Sequence, residues 1–124
     1  MARRRIDPAD GTMALAAWRK NRGGLDRKTL ATAVRFTLEE LGERAPGNSV
    51  EVRVPPFGVT QCIPGLRHTR GTPPNVVETD AATWLALVTG RVQWSEAMTG
   101  GAVSASGTRA DLSGVLPLFS GPGS

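Results

Sequence analysis

Apolar residues recur along the chain at two periods, and these lay out the order of its elements. Asp7-Pro8 opens the first, since Asp caps free N–H groups and Pro is tolerated in a first turn. A helix to about residue 19 is expected, with Met13, Leu15, Ala17 and Trp18 on its apolar side and Gly11 weakening its start. After a turn at 21–24, Leu30, Val34, Leu38 and Leu41 follow at helical spacing, widened by Ala33 and Phe36, which predicts a longer helix over 26–43. Val50, Val52 and Val54 then alternate with Glu51 and Arg53, the pattern of a strand with one face in water. Pro55-Pro56 ends it, and a second strand over 59–63 completes a hairpin.

Downstream of a connection rich in Arg, Thr and Pro, residues 76–119 form an unbroken series. A third strand (NVVET) leads to Asp80, a helix N-cap, and Trp84, Leu85, Leu87 and Val88 recur at helical spacing until Gly90. A short helix carries Trp94, Ala97 and Met98 and stops at Gly100-Gly101. Val103 and Ala105 then alternate with Ser104 and Ser106 as a half-buried strand closed by Gly107, and 108–119 reads as a final helix. Helices before and after a sheet predict an α+β domain, with a mainly antiparallel sheet of about four to five strands and helices packed on one face. The expected organisation is an N-terminal arm and short helix over 1–25, the domain proper over 26–119, and a flexible tail over 120–124.

This series resembles the sterol carrier protein type two family. The family's marks stand here as Asp80 opening a helix, Leu87-Val88-Thr89-Gly90 ending it, Ala97-Met98-Thr99-Gly100 ending the next, and the alternating strand from Val103 to Gly107. Residues 49–54 and 57–65 sit where the family has its first two strands, and 26–43 where it has its long first helix. More closely, the chain is similar to the small, Arg-rich, stand-alone versions of this domain found in actinobacteria. The resemblance implies a sterol-carrier-like fold and a non-catalytic, intracellular lipid-binding role. It departs from the family in two ways. Ala102, Ala105 and Ser106 are smaller than usual, and the long C-terminal helix that often lids the family's tunnel has little chain left to form it, unless the extra helix near 9–19 or a dimer partner substitutes.

At 124 residues the chain is sized for one domain and one core. No apolar run approaches the ~18 residues of a membrane span, and Arg3-Arg4-Arg5 is followed by polar residues rather than a signal-peptide core, so a cytoplasmic location is expected. Cys62 is the only cysteine, which excludes an intramolecular disulfide and a multi-thiolate zinc site. The net charge of +4 invites a nucleic-acid partner. Its distribution argues against one, because the arginines are scattered along the chain and no aromatic residues interleave with a basic strand.

Two constellations bear on function. A sheet covered by helices can leave an apolar tunnel, and the residues facing it would be Phe36, Leu38, Val52, Val77, Trp84, Val88, Trp94, Met98, Val103 and Leu116. The resemblance implies a hydrophobic occupant there: a fatty acid, an acyl-CoA or a sterol-like molecule. In the loop after the second strand, Arg67, His68 and Arg70 stand among hydroxyls and Gly-exposed N–H groups, the chemistry of an anion or headgroup site, with Arg109 and Asp111 as possible neighbours. Nothing marks Cys62 as an activated nucleophile, no residues have metal spacing, and no phosphate-binding Gly loop follows a strand, so neither catalysis, a metal nor a cofactor is expected. The alternatives are an accessory module of the same fold that docks on a protein partner or a second copy without lipid, and, second, a basic nucleic-acid binder.

Overall fold

The computed structural model describes residues 5–65 and 75–119. Helices α1 (Pro8–Lys20) and α2 (Arg27–Arg44) precede strands β1 (Val50–Val54), β2 (Gly58–Cys62) and β3 (Asn75–Thr79); helices α3 (Ala81–Val88) and α4 (Trp94–Thr99) and strand β4 (Val103–Ser106) follow. The helix starts are set by carboxylates. Asp7 accepts the Ala9 N–H at 3.1 Å, Asp26 accepts from both the Thr29 N–H and its hydroxyl, and Asp80 accepts the Thr83 N–H at 2.7 Å. Each satisfies a donor that the first helical turn leaves without a carbonyl.

The strands form a four-stranded sheet in the order β2-β1-β3-β4. The outer pairs, β1 with β2 and β3 with β4, are antiparallel, whereas β1 and β3 run parallel at the centre, so the sheet is mixed. Its register explains the alternation in sequence. Thr60, Val52, Val77 and Ala105 lie side by side across the sheet, as do Gln61, Glu51, Val76 and Ser106 one residue away. Successive residues of a strand point to opposite faces, so the first row faces the helices and the second faces water. The α+β reading therefore holds, with the central parallel pairing as the refinement.

Between helices and sheet sits one buried cluster that includes Leu38, Leu41, Val50, Val52, Val54, Val77, Trp84, Leu85, Val88 and Leu112. A buried polar contact threads it. The Trp84 indole N–H donates to the Thr37 hydroxyl at 2.8 Å, and that hydroxyl lies 2.9 Å from both the Ala33 and the Val34 carbonyls. Thr37 is fully buried. Its oxygen serves Trp84 as acceptor while its own proton returns to the preceding turn, so no polar atom of the pair is stranded.

Two expectations fail. On α1 the buried face is Gly11, Ala14, Leu15 and Trp18, while Met13 is 71% exposed. The seam is cut by a glycine because α2 comes so close: a Cβ on Gly11 would stand 2.2 Å from Phe36 Cγ. The final helix does not form either. The segment after β4 makes one turn, in which the Val115 and Leu116 N–H groups both donate to the Leu112 carbonyl at 3.0 Å. Pro117 has no N–H with which to extend that turn, and the next two amides turn instead to Val88.

Both packing details give measurable expectations. In a solvent-facing helix Gly→Ala stabilises by about 1 kcal/mol, but here the methyl group must displace the Phe36 ring, so Gly11→Ala is expected to destabilise by about 1–3 kcal/mol in urea unfolding. A stabilised variant would show that α1 is not seated on Phe36. Thr37→Val leaves the Trp84 N–H buried without an acceptor and is expected to lower stability by about 1–3 kcal/mol, measured the same way.

Candidate ligand cleft at the end of helix α3

Helix α3 ends where its sequence allows a sharp change of direction. Gly90, at φ 80°, takes the left-handed conformation, and the Arg91 N–H folds back to the Ala86 carbonyl at 2.9 Å. A short link then reaches α4, whose start is closed by a reciprocal pair: the Gln93 side chain with the backbone at Glu96, and the Glu96 carboxylate with the Gln93 N–H at 3.0 Å. The chain after β4 returns to the same place. The Leu118 and Phe119 N–H groups both donate to the Val88 carbonyl, at 3.0 and 2.8 Å, which ties residues 112–119 down as a strap across the end of α3.

Between α3, α4 and this strap lies a cleft of about 260 Å³. Leu87, Val92, Trp94, Leu116 and Pro117 make its apolar wall, and Gln93, Ser95, Asp111 and Ser113 complete its lining. Leu87 belongs to the main core, so the cleft opens directly onto it. The Asp111 carboxylate accepts the Ser113 N–H at 2.9 Å, and the backbone and side-chain hydrogen bonds from Ser113 hold its pKa below the usual carboxylate range. It is therefore negatively charged at neutral pH and makes its part of the lining unfavourable for an anion.

Of the residues expected around a tunnel, Trp94 and Leu116 are half-buried and meet at this cleft. Leu38, Val52, Val77, Trp84, Val88 and Val103 are buried in the core cluster. Phe36 is buried against α1 and lies 5.7 Å, ring to ring, from Phe119. Met98 is 38% exposed on α4. The interior between helices and sheet is thus occupied by the protein's own side chains at those positions, and an open hollow with an apolar wall lies at the end of α3.

Of the expected anion site, Arg67, His68 and Arg70 lie outside the described residues. Arg109 is exposed, with its backbone N–H bound to the Asn75 side-chain oxygen at 2.9 Å. Two other arginines, which the sequence did not single out, converge on the strap. Arg19 Nη2 donates to the Phe119 carbonyl at 3.1 Å and Arg44 Nη1 to the Leu118 carbonyl. The contacts span 100 and 74 residues of sequence, so no local pattern announces them.

Two further depressions lie on the water-facing side of the sheet. The larger, about 440 Å³, is lined by Pro55, Pro56, Gly58 and Val59 together with Glu51, Arg53 and Glu78, and the other, about 280 Å³, includes Glu78, Asp80 and Ser104. Charged side chains lie in both, including the Glu51–Arg53 ion pair. Neither connects apolar surface to the core as the α3 cleft does through Leu87. Among the described residues no helix is long and apolar enough to cross a membrane, and no three of His, Cys, Asp and Glu gather as metal ligands do.

Cys62 is wholly buried at the end of β2, and burial pushes its thiol up to about 11, against an ordinary 9.0. The thiolate is the reactive form, so at pH 8 this shift alone suppresses it roughly a hundredfold, before access is considered. Iodoacetamide followed by mass spectrometry is expected to leave native Cys62 unmodified over times that fully alkylate the urea-unfolded chain. Rapid native labelling would contradict this placement.

A family model described as Bacterial SCP ortholog matches residues 26–118. No curated protein matches the chain.

Proposed function

We propose that this chain, which belongs to the bacterial SCP ortholog family, is a non-catalytic carrier domain that holds the hydrocarbon part of a small amphipathic molecule in the cleft at the end of α3. The supporting observation is the wall of Leu87, Trp94 and Leu116, an apolar hollow continuous with the core that side chains leave unfilled. Its volume of about 260 Å³ lies just under the roughly 300 Å³ at which small-molecule sites begin. That size suits a single alkyl chain of moderate length better than a fused ring system. Apolar contact is the driving term: burying each methylene contributes about 0.8 kcal/mol, whereas an exposed ion pair contributes at most about 1.

A second reading has an observation of its own. Because Trp84, Val52, Val77 and Val88 fill the space between helices and sheet, the fold is complete without a ligand, as an accessory domain docking on a partner would require. The absence of an activated thiol at Cys62 fits both readings.

The carrier reading predicts a chain-length law. In native mass spectrometry or fluorescence titration with saturated carboxylates, each added methylene is expected to tighten Kd by about fourfold, until the cleft is full and affinity levels off. Leu116→Asp, which places a charge on the wall of the cleft, is expected to weaken the best ligand at least tenfold while the fold persists. Affinity that is absent at every chain length would favour the accessory reading.

A further inference from the structure

The end of the strap is held in an unusual way. Its amides are bound to Val88, but its carbonyls are met by charged groups, Arg44 at Leu118 and Arg19 at Phe119. These are adjacent residues, so two guanidiniums from the last turns of α1 and α2 converge on one short piece of backbone. A neutral carbonyl is a weak partner for a guanidinium, whose planar fork matches a carboxylate and bonds it about twice as strongly. Arg19 is also incompletely used: its Nε is shielded from water and has no hydrogen-bond partner. A buried donor without an acceptor is costly, and its presence beside a second guanidinium describes a site with donor capacity to spare.

The side chains of the same residues are apolar. Leu118 is buried, and the Phe119 ring stacks at a tilt 5.7 Å from Phe36, with the Arg44 guanidinium 5.0 Å above it. Oxygen atoms at the arginines, followed by hydrocarbon against Phe36, is the outline of a fatty carboxylate. The strap reproduces it with its own backbone and side chains. Arg44 also pairs through Nε with Glu40 at 2.6 Å, which fixes its fork without using the Nη1 that meets the strap. The ionised Asp111, which lines the adjoining cleft, repels an anion there, whereas the arginines attract one.

We propose that Leu118 and Phe119 are an internal occupant of a ligand site, and that a carboxylate-headed hydrocarbon displaces them, its oxygens taking the donors of Arg19 and Arg44. This rests on the carrier reading above and adds to it the headgroup class, the orientation of the ligand and a competing segment of the chain itself. No covalent step is involved. The bonds exchanged are the strap's amide bonds to Val88 and its carbonyl bonds to the arginines, against charge-assisted bonds to the incoming carboxylate.

The test is amide hydrogen exchange on the full chain, with and without saturating dodecanoate below its micelle threshold, with binding monitored in parallel and dodecanol as the uncharged control. Dodecanoate is expected to bind more tightly than dodecanol and to speed exchange at the Leu118 and Phe119 amides at least tenfold. Arg44→Gln is expected to abolish the preference for the acid. A Leu118→Ala/Phe119→Ala variant, checked for folding by its melting curve, is expected to bind dodecanoate at least tenfold more tightly than the native chain. Binding by the variant alone would mean that the strap holds the site shut, and would support the proposal. Dodecanoate binding with both amides still protected would overturn the displacement while leaving the carrier reading intact. Failure of both proteins to bind would overturn the two together. If the variant does not fold, exchange and binding in the native chain decide.

Discussion

The buried hydrogen bond from Trp84 to Thr37 fixes where this domain can and cannot have open space. Trp84 is the largest side chain on α3 and is fully buried in the cluster that contains Val52 and Val77. An indole brings a large apolar area but also one N–H that must be satisfied, and only Thr37, on the facing turn of α2, supplies the acceptor. The bond therefore sets the position of α3 along α2 as well as its depth over the sheet. With α3 in that position, the volume between helices and sheet is filled by side chains. On the helix side, an open hollow lies beyond the last turn of α3, where Gly90 turns the chain away and the strap comes back.

The arginines are used in an odd way. Within the elements the Arg and Lys residues fall on α1, α2 and β1 alone, and β2, β3, α3, α4 and β4 carry none. In the structure many arginines serve the fold as ties. Arg35 reaches the Phe57 carbonyl at 2.7 Å, Arg27 lies over the Phe57 ring and Arg91 over the Trp18 ring. A guanidinium can stack on an aromatic face and donate to a carbonyl at once, which a lysine ammonium does less well, and the preference for Arg over Lys gains a physical reason. Arg19 and Arg44 belong to this set by geometry, but they differ in meeting adjacent carbonyls of one segment and in leaving a shielded donor unused.

Much of the fold was legible because its signals are local. Asp7, Asp26 and Asp80 each cap within three residues, the valines of β1 alternate, and Leu87-Val88-Thr89-Gly90 ends a helix in the way its glycine permits. The errors came where a distant partner decides. Met13 fits an apolar stripe by spacing, yet the side of α1 that meets α2 is the one with a glycine, since only there does Phe36 have room. Residues 108–119 carry a helical pattern, but Pro117 and the pull of the Val88 carbonyl leave one turn. For the site, Trp94 and Leu116 were readable as apolar positions facing a shared space. Their meeting at the end of α3, and the arrival of Arg19 and Arg44, depend on contacts across most of the chain.

The central claim is that a hydrocarbon enters at the end of α3 and not between helices and sheet. The indoles of Trp84 and Trp94 report on these two places, because one is sealed against Thr37 and the other stands on the wall of the cleft. A titration of the nitrogen-labelled protein with dodecanoate, followed by two-dimensional NMR, reads both signals at once. The account predicts that the Trp94 indole resonance shifts together with the amides of Leu87 and Leu116 while the Trp84 indole stays in place. A moving Trp84 with a stationary Trp94, or shifts confined to Val59 and Glu78 on the water-facing side of the sheet, would contradict it.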